Sequence, residues 1–226
     1  MPREEEHYKE QKKNAEILSR DHIRTEFDSK AYLRDFYTRV EDPAMQLILT
    51  FLPNIAARVG KVENLLDFGA GPTIHVAVAF RHTAQNIYLA DYLPQNREEL
   101  SKWRQSRSDF DWFETIKRIA NIEGVDWSSI LQMEEEARSK VRDVFHCNCF
   151  SRPSVDAPPS LQCNFDVVTT IFCVEYCCNT LDEYKQAIAN VVDQVKPGGK
   201  SFHYFFMLMG LCPGFESNNI KEELNL

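Results

Sequence analysis

The sequence predicts an open, mostly parallel α/β sheet with helices on both faces. Three observations predict it. Short apolar runs alternate along the chain with amphipathic helical stretches, the pattern that lays crossover helices over parallel strands. The first run, Leu65-Leu66-Asp67-Phe68, breaks into Gly69-Ala70-Gly71. Such a turn lets backbone approach a ligand just where a new helix offers unpaired N–H groups. The second run, Asn86-Ile87-Tyr88-Leu89-Ala90, ends on Asp91. Its distance from Gly71, about 20 residues, is that at which a doubly wound fold presents an acid to a ribose.

Taken in order, residues 1–20 are charge-dense and read as a frayed helix or a disordered lead. Residues 21–60 hold two helical patterns. Phe27, Tyr32, Leu33, Phe36 and Tyr37 share one face of the first. Met45, Leu47, Ile48, Leu49, Leu52 and Ile55 mark the second, begun near Asp42-Pro43. Beyond the glycines, Pro72 is read as the first residue of a helix running through Ile74, Val76, Val78 and Phe80. Residues 94–139 carry three helical candidates, with Trp103, Phe110, Trp112 and Trp127, and the run Glu134-Glu135-Glu136 reads as a solvated face. Residues 141–147 and 165–172 read as the third and fourth strands, joined by a proline-rich loop over 151–159. A helix over 181–195 is expected to stop at Lys196-Pro197-Gly198-Gly199, with a fifth strand over 200–209.

Composition narrows the function classes. The 226 residues can bury a core as one domain, and 43% apolar with 27% charged content is ordinary for a globular protein. A balance of 26 basic and 34 acidic residues, formally −8, argues against a duplex-binding protein. The charged N-terminus lacks an apolar signal core, and the apolar stretch over 202–212 is too short to span a bilayer. Seven cysteines without a CxxC pair point to a reducing cytosol, and strand positions make several of them small hydrophobes. The histidines show no HExxH spacing, so no metal is expected. An acid at the strand-to-turn junction, with no lysine after it, argues against a triphosphate. Pro72 departs from the dinucleotide fingerprint, which disfavours an NAD-dependent dehydrogenase.

Asp67-x-Gly69-x-Gly71 instead resembles the nucleoside-binding loop of S-adenosylmethionine (SAM) methyltransferases. Four further groups of residues extend the likeness. They are Gly71-Pro72-Thr73-Ile74, Asp91-Tyr92 with Gln95-Asn96, Phe110-Asp111-Trp112, and Lys196-Pro197-Gly198-Gly199. With the aromatic run Phe27…Tyr32-Leu33…Phe36-Tyr37, they resemble the family of nicotinamide, phenylethanolamine and indolethylamine N-methyltransferases over residues 25–200. The resemblance implies a Rossmann-like class I methyltransferase domain over 21–226. Its parts would be an N-terminal helical lid over 21–60, a SAM-binding core over 61–200 and an atypical tail over 201–226 that lacks the family's final strands. It implies a monomeric cytosolic enzyme that methylates the nitrogen of a small amine or pyridine-type substrate, without nucleic-acid or membrane partners.

The resemblance also implies residue roles. Tyr32 and Tyr37 would belong to the lid, and Gly69, Ala70, Gly71 and Thr73 would cradle the methionine part of SAM. His75 stands where the family usually has tyrosine. Asp91 would accept the ribose hydroxyls, with Tyr92 beside the adenine and Asn96 on the ribose. Asn148-Cys149 falls where Asp-Val usually meets the adenine, and Glu175 where an acid faces the acceptor nitrogen. Plainer readings stand beside these: Glu175 as a solvated strand-end residue, and Tyr32, Phe36 and Tyr37 as a packed helix face. The unfamiliar residues after Gly199 leave a second function open, a catalytically impaired isoform that only binds SAM or a protein partner.

Overall fold

The computed structural model describes residues 24–204, and the expectations for residues 1–20 and for the tail beyond Tyr204 lie outside them. Five parallel strands form one sheet in the order β3-β2-β1-β4-β5. Their ranges are β1 Val62–Phe68, β2 Ala84–Asp91, β3 Val141–His146, β4 Phe165–Ile171 and β5 Val195–Tyr204. β1 is central because its apolar run is covered on both faces. Leu65 pairs with Ile87 on one side and Val167 on the other, and Leu65, Leu66 and Phe68 are all buried. Successive side chains point to opposite faces, so Leu65 joins the core beneath the N-terminal and central helices. Leu66 joins a second core with Phe145, Phe165 and Tyr184.

The helices follow local signals. In α1 (Ser29–Tyr37) the Asp28 carboxylate caps Lys30 and Ala31, and in α2 (Pro43–Val59) Asp42 caps Ala44 and Met45. Pro43 opens α2, where its missing N–H has no partner to lose. Met45, Ile48, Leu49, Leu52, Ala56 and Val59 form the buried stripe of α2 at helical spacing. α3 (His75–Phe80) is buried on every side. α4 (Pro94–Arg104), α5 (Phe113–Glu123) and α6 (Ile130–Lys140) precede β3, and α7 (Val174–Cys177) and α8 (Leu181–Val192) lie between β4 and β5. Among the described residues, no helix is long and apolar enough to cross a membrane.

Three expectations are corrected. α3 begins at His75, not at Pro72: Gly71 takes a φ of +62°, and the Thr73 hydroxyl bonds the Ala70 carbonyl at 2.7 Å, inserting a turn before the helix. Lys196-Pro197-Gly198-Gly199 does not stop a helix but lies inside β5. The pairing jumps from Phe165 with Val195 to Val167 with Lys200, so the extra residues bulge outward, eased by Gly198 at a φ of +79°. Lys196 there pairs with Asp166, whose carboxylate also takes the N–H groups of Glu63 and Asn64. Finally, Glu134 is not simply solvated, because it accepts the Trp103 indole N–H at 2.8 Å and pairs with Arg138.

Candidate active site

In an open parallel sheet a crevice opens at the carboxyl edge where the strand order reverses, here between β1 and β4. A cavity of about 610 Å³ occupies it. Its floor is the glycine turn. Gly69 and Ala70 donate to the Ala90 carbonyl at 2.8 and 2.9 Å, which stitches the end of β1 to the end of β2. Gly69 has a φ of +74°, and a Cβ placed there would sit 2.1 Å from the Cys173 sulfur. Glycine is required on both counts.

Asp91 closes onto this turn. Its Oδ2 accepts the Gly71 N–H at 2.8 Å, and its Oδ1 accepts the Leu93 N–H at 2.8 Å and the Asn96 amide at 3.0 Å. Burial pushes its carboxyl above the usual range, while those three donors pull the other way. Asn96 in turn accepts the Ser29 hydroxyl at 2.6 Å, and Gln95 donates to the Phe27 carbonyl at 3.1 Å. The N-terminal helix is thus tied to α4 beside Asp91.

The opposite wall is aromatic. Tyr32 lies 5.4 Å from Phe27, 5.0 Å from Phe36 and 5.9 Å from Tyr37 between ring centres. Tyr37 stacks on His75, with its hydroxyl 3.4 Å from Nδ1. Burial lowers the His75 pKa to about 4, so the imidazole is neutral, and its buried Nε2 has no hydrogen-bond partner among the described residues. Asp67, held by the Thr169 hydroxyl at 2.9 Å, is pushed up to about 7 by burial.

All twelve residues expected around the donor line this one cavity: Tyr32, Tyr37, Gly69, Ala70, Gly71, Thr73, His75, Asp91, Tyr92, Asn96, Asn148 and Cys149. Glu175 does not line it. It sits in the first turn of the short α7, where burial raises its carboxyl and the backbone N–H groups of its own residue and of Cys173 oppose that rise. Its charge also contributes to raising the phenol of Tyr184 in the second core. Sequence reasoning missed Asp42, Met45, Phe172, Cys173, Tyr176 and Cys177, which also line the cavity. Only Asp42 carried a signal, as the cap before Pro43.

A glycine turn after the first strand, an acid closing the second and a crevice at the switch point define the class: a Rossmann-like class I, SAM-dependent methyltransferase fold. The chain belongs to the NNMT/PNMT/TEMT family, whose model matches residues 15–208. It is 38% identical over 199 residues to a nicotinamide N-methyltransferase of Caenorhabditis elegans, covering 84% of this chain and 72% of that one. It is 34% identical over 143 residues to an indolethylamine N-methyltransferase of Oryctolagus cuniculus, covering 61% and 51% respectively. A human nicotinamide N-methyltransferase is 29% identical over 81% of this chain and 71% of its own length.

Proposed function

We propose that this chain binds SAM and presents a small amine or pyridine-type nitrogen to it for N-methylation. The observation that carries the reading is Asp91 closed onto Gly71 at the switch point. The cavity suits that donor on three counts: a glycine cradle, an unpartnered imidazole nitrogen and a carboxylate at the end of β2. When bound, SAM supplies an electrophilic methyl group on a sulfonium. Asp91, with three donors in place, keeps one acceptor position on Oδ2 that would take a ribose hydroxyl, Asn96 would orient it, and Gly69, Ala70, Gly71 and Thr73 would face the methionine part. The free Nε2 of His75 gives or takes one hydrogen bond there. Tyr92, Asn148 and Cys149, which line the same cavity, would enclose the adenine. The π faces of Tyr32 and Phe36 favour a cation beside them. Catalysis rests chiefly on holding acceptor and methyl in line.

Glu175, the acid expected to face the acceptor, is not among the residues lining the cavity, although its neighbours Cys173, Tyr176 and Cys177 are; it stays a candidate for that role. Residues 21–226 are read as one methyltransferase domain. The acidic balance supports a chain without nucleic-acid partners, and the free cysteines suit a reducing cytosol. A monomer is the state that the family resemblance implies, and it is carried here as part of the proposal. Titration calorimetry with SAM and with NAD, followed by mass detection of methylated products from a panel of amines and pyridines, tests the reading. SAM binding with at least one methylated product is expected. NAD binding in its place would overturn the donor assignment, and SAM binding without any product would overturn the enzyme.

A further inference from the structure

Among the described residues, three aspartates line the cavity, Asp42, Asp67 and Asp91, and no lysine or arginine does. Burial raises the carboxyls of Asp67 and Asp91, which weakens the hold of both on a negative charge. Two of the three acids are already engaged. Asp91 holds Gly71, Leu93 and Asn96, and Asp67 is 2% exposed against Thr169.

Asp42 differs. Both capping bonds of α2, from Ala44 and Met45 at 2.9 and 3.0 Å, fall on Oδ1. Its Oδ2 takes no hydrogen bond from any described residue. The side chain is only part-buried, and it shares the cavity wall with Tyr32, Phe36 and Met45. Its charge reaches the Tyr32 phenol, adding to the burial that pushes that group up to about 12. An anion with one free oxygen beside an aromatic wall is a binding site for an ammonium carried on a flat ring.

We infer that Asp42 recognises the acceptor, and that the acceptor class this cavity prefers is a protonated arylalkylamine rather than a neutral pyridine. The inference rests on the proposed methyl transfer and names the substrate class of that same site. Asp42 is assigned to recognition, not to proton transfer: the amine binds as its ammonium and gives a proton to water, and the freed lone pair then forms the N–C bond as the S–C bond breaks and S-adenosylhomocysteine leaves. Capping of α2 explains one carboxylate oxygen; it does not explain a negative charge at a cavity wall, since serine or asparagine would cap as well.

That equivalence supplies the test. Asp42→Asn and Asp42→Ser remove the charge and keep the cap, so thermal melting should stay at the parent value. The probes are 2-phenylethylamine and nicotinamide, each titrated calorimetrically into protein saturated with S-adenosylhomocysteine. In both variants the amine Kd should rise at least about tenfold, while the nicotinamide Kd and the separately measured SAM Kd stay within about twofold. Where turnover is measurable, the amine KM should rise with kcat nearly unchanged. Unaltered amine affinity in the variants, an equal loss for both acceptors, or no amine binding to the parent would each overturn the inference. Should the parent bind the amine through Asp42 yet form no methylated product, the methyl-transfer reading fails while this one holds.

Discussion

The Ser29 hydroxyl donates to the Asn96 side-chain oxygen at 2.6 Å, a buried bond between the first turn of α1 and the first turn of α4. The other end of the Asn96 amide holds Asp91, and Asp91 holds the Gly71 N–H. The helix over the cavity and the glycine turn beneath it therefore share one hydrogen-bonded chain. Ser29→Ala should leave the Asn96 oxygen buried without a donor, at a cost of about 1–3 kcal/mol. Urea denaturation reads this directly. An unchanged midpoint would mean that α1 is not anchored through Ser29.

Asp91→Ala removes an acceptor from three donors at once and takes away the proposed ribose ligand. SAM affinity should fall at least about tenfold, equivalent to roughly 1.4 kcal/mol. Asp91→Asn keeps one oxygen for the loop, so it should melt closer to the parent while still binding SAM more weakly. Calorimetry on both variants, with melting curves alongside, separates the ligand role from the structural one. Parent-like affinity in a folded Asp91→Ala chain would remove Asp91 from the site.

Much of this arrangement was legible in the sequence wherever the signal is local. Leu65, Leu66 and Phe68 before Gly69, and Ile87 and Leu89 before Asp91, are buried strands because two covered faces demand continuous apolar runs. Asp42-Pro43 marked the start of α2 correctly, since cap and first-turn proline act within four residues. What was not legible depends on contacts distant in sequence. Lys196-Pro197-Gly198-Gly199 reads as a stop, yet β4 offers it a ladder and a bulge absorbs the surplus. Glu175 carries an acid to the right strand end, but the turn through Phe172, at a φ of +51°, leads into α7, and Glu175 is not among the residues lining the cavity. Asp42 is a cavity wall only because α1 and α2 fold over the sheet. No local pattern encodes that.

Two buried groups make opposing contributions to stability against pH. His75, with a folded pKa near 4 against an ordinary 6.5, resists protonation in the folded chain. The unfolded chain then binds more protons between pH 4 and 6.5, so this contribution is complete above 6.5 and is lost as pH falls towards 4. Asp67, raised to about 7 from 3.8, behaves oppositely: the folded chain holds the extra proton, and stability is lost as pH rises from 3.8 to 7. His75→Phe should remove the first slope and leave the second. Stability of the variant relative to the parent should therefore rise on acidification from pH 6.5 to 4, by an amount on the order of 3 kcal/mol. Asp67→Asn should give the mirror result, gaining relative stability from pH 4 to 7. Denaturant midpoints at half-unit pH steps test both. Parallel parent and variant curves would show that neither group titrates abnormally.

Gly69 gives the sharpest steric test. A Cβ at this position would lie 2.1 Å from the Cys173 sulfur and 2.4 Å from the Cys173 Cβ, on a backbone already at a φ of +74°. Gly69→Ala must therefore push the turn after β4 away from the turn after β1, widening the cavity floor where the methionine part is proposed to lie. The left-handed backbone alone costs about 1–2 kcal/mol for a side-chain-bearing residue. Both melting temperature and SAM affinity should fall. Adding Cys173→Ala removes the sulfur but keeps the 2.4 Å clash, so it should rescue little. Adding Cys173→Gly removes both contacts and should restore part of the SAM affinity, leaving the backbone strain behind. Equal behaviour of the two double variants would show that the collision is not with the Cys173 Cβ. An unaffected Gly69→Ala chain would mean that the two turns are not held against each other.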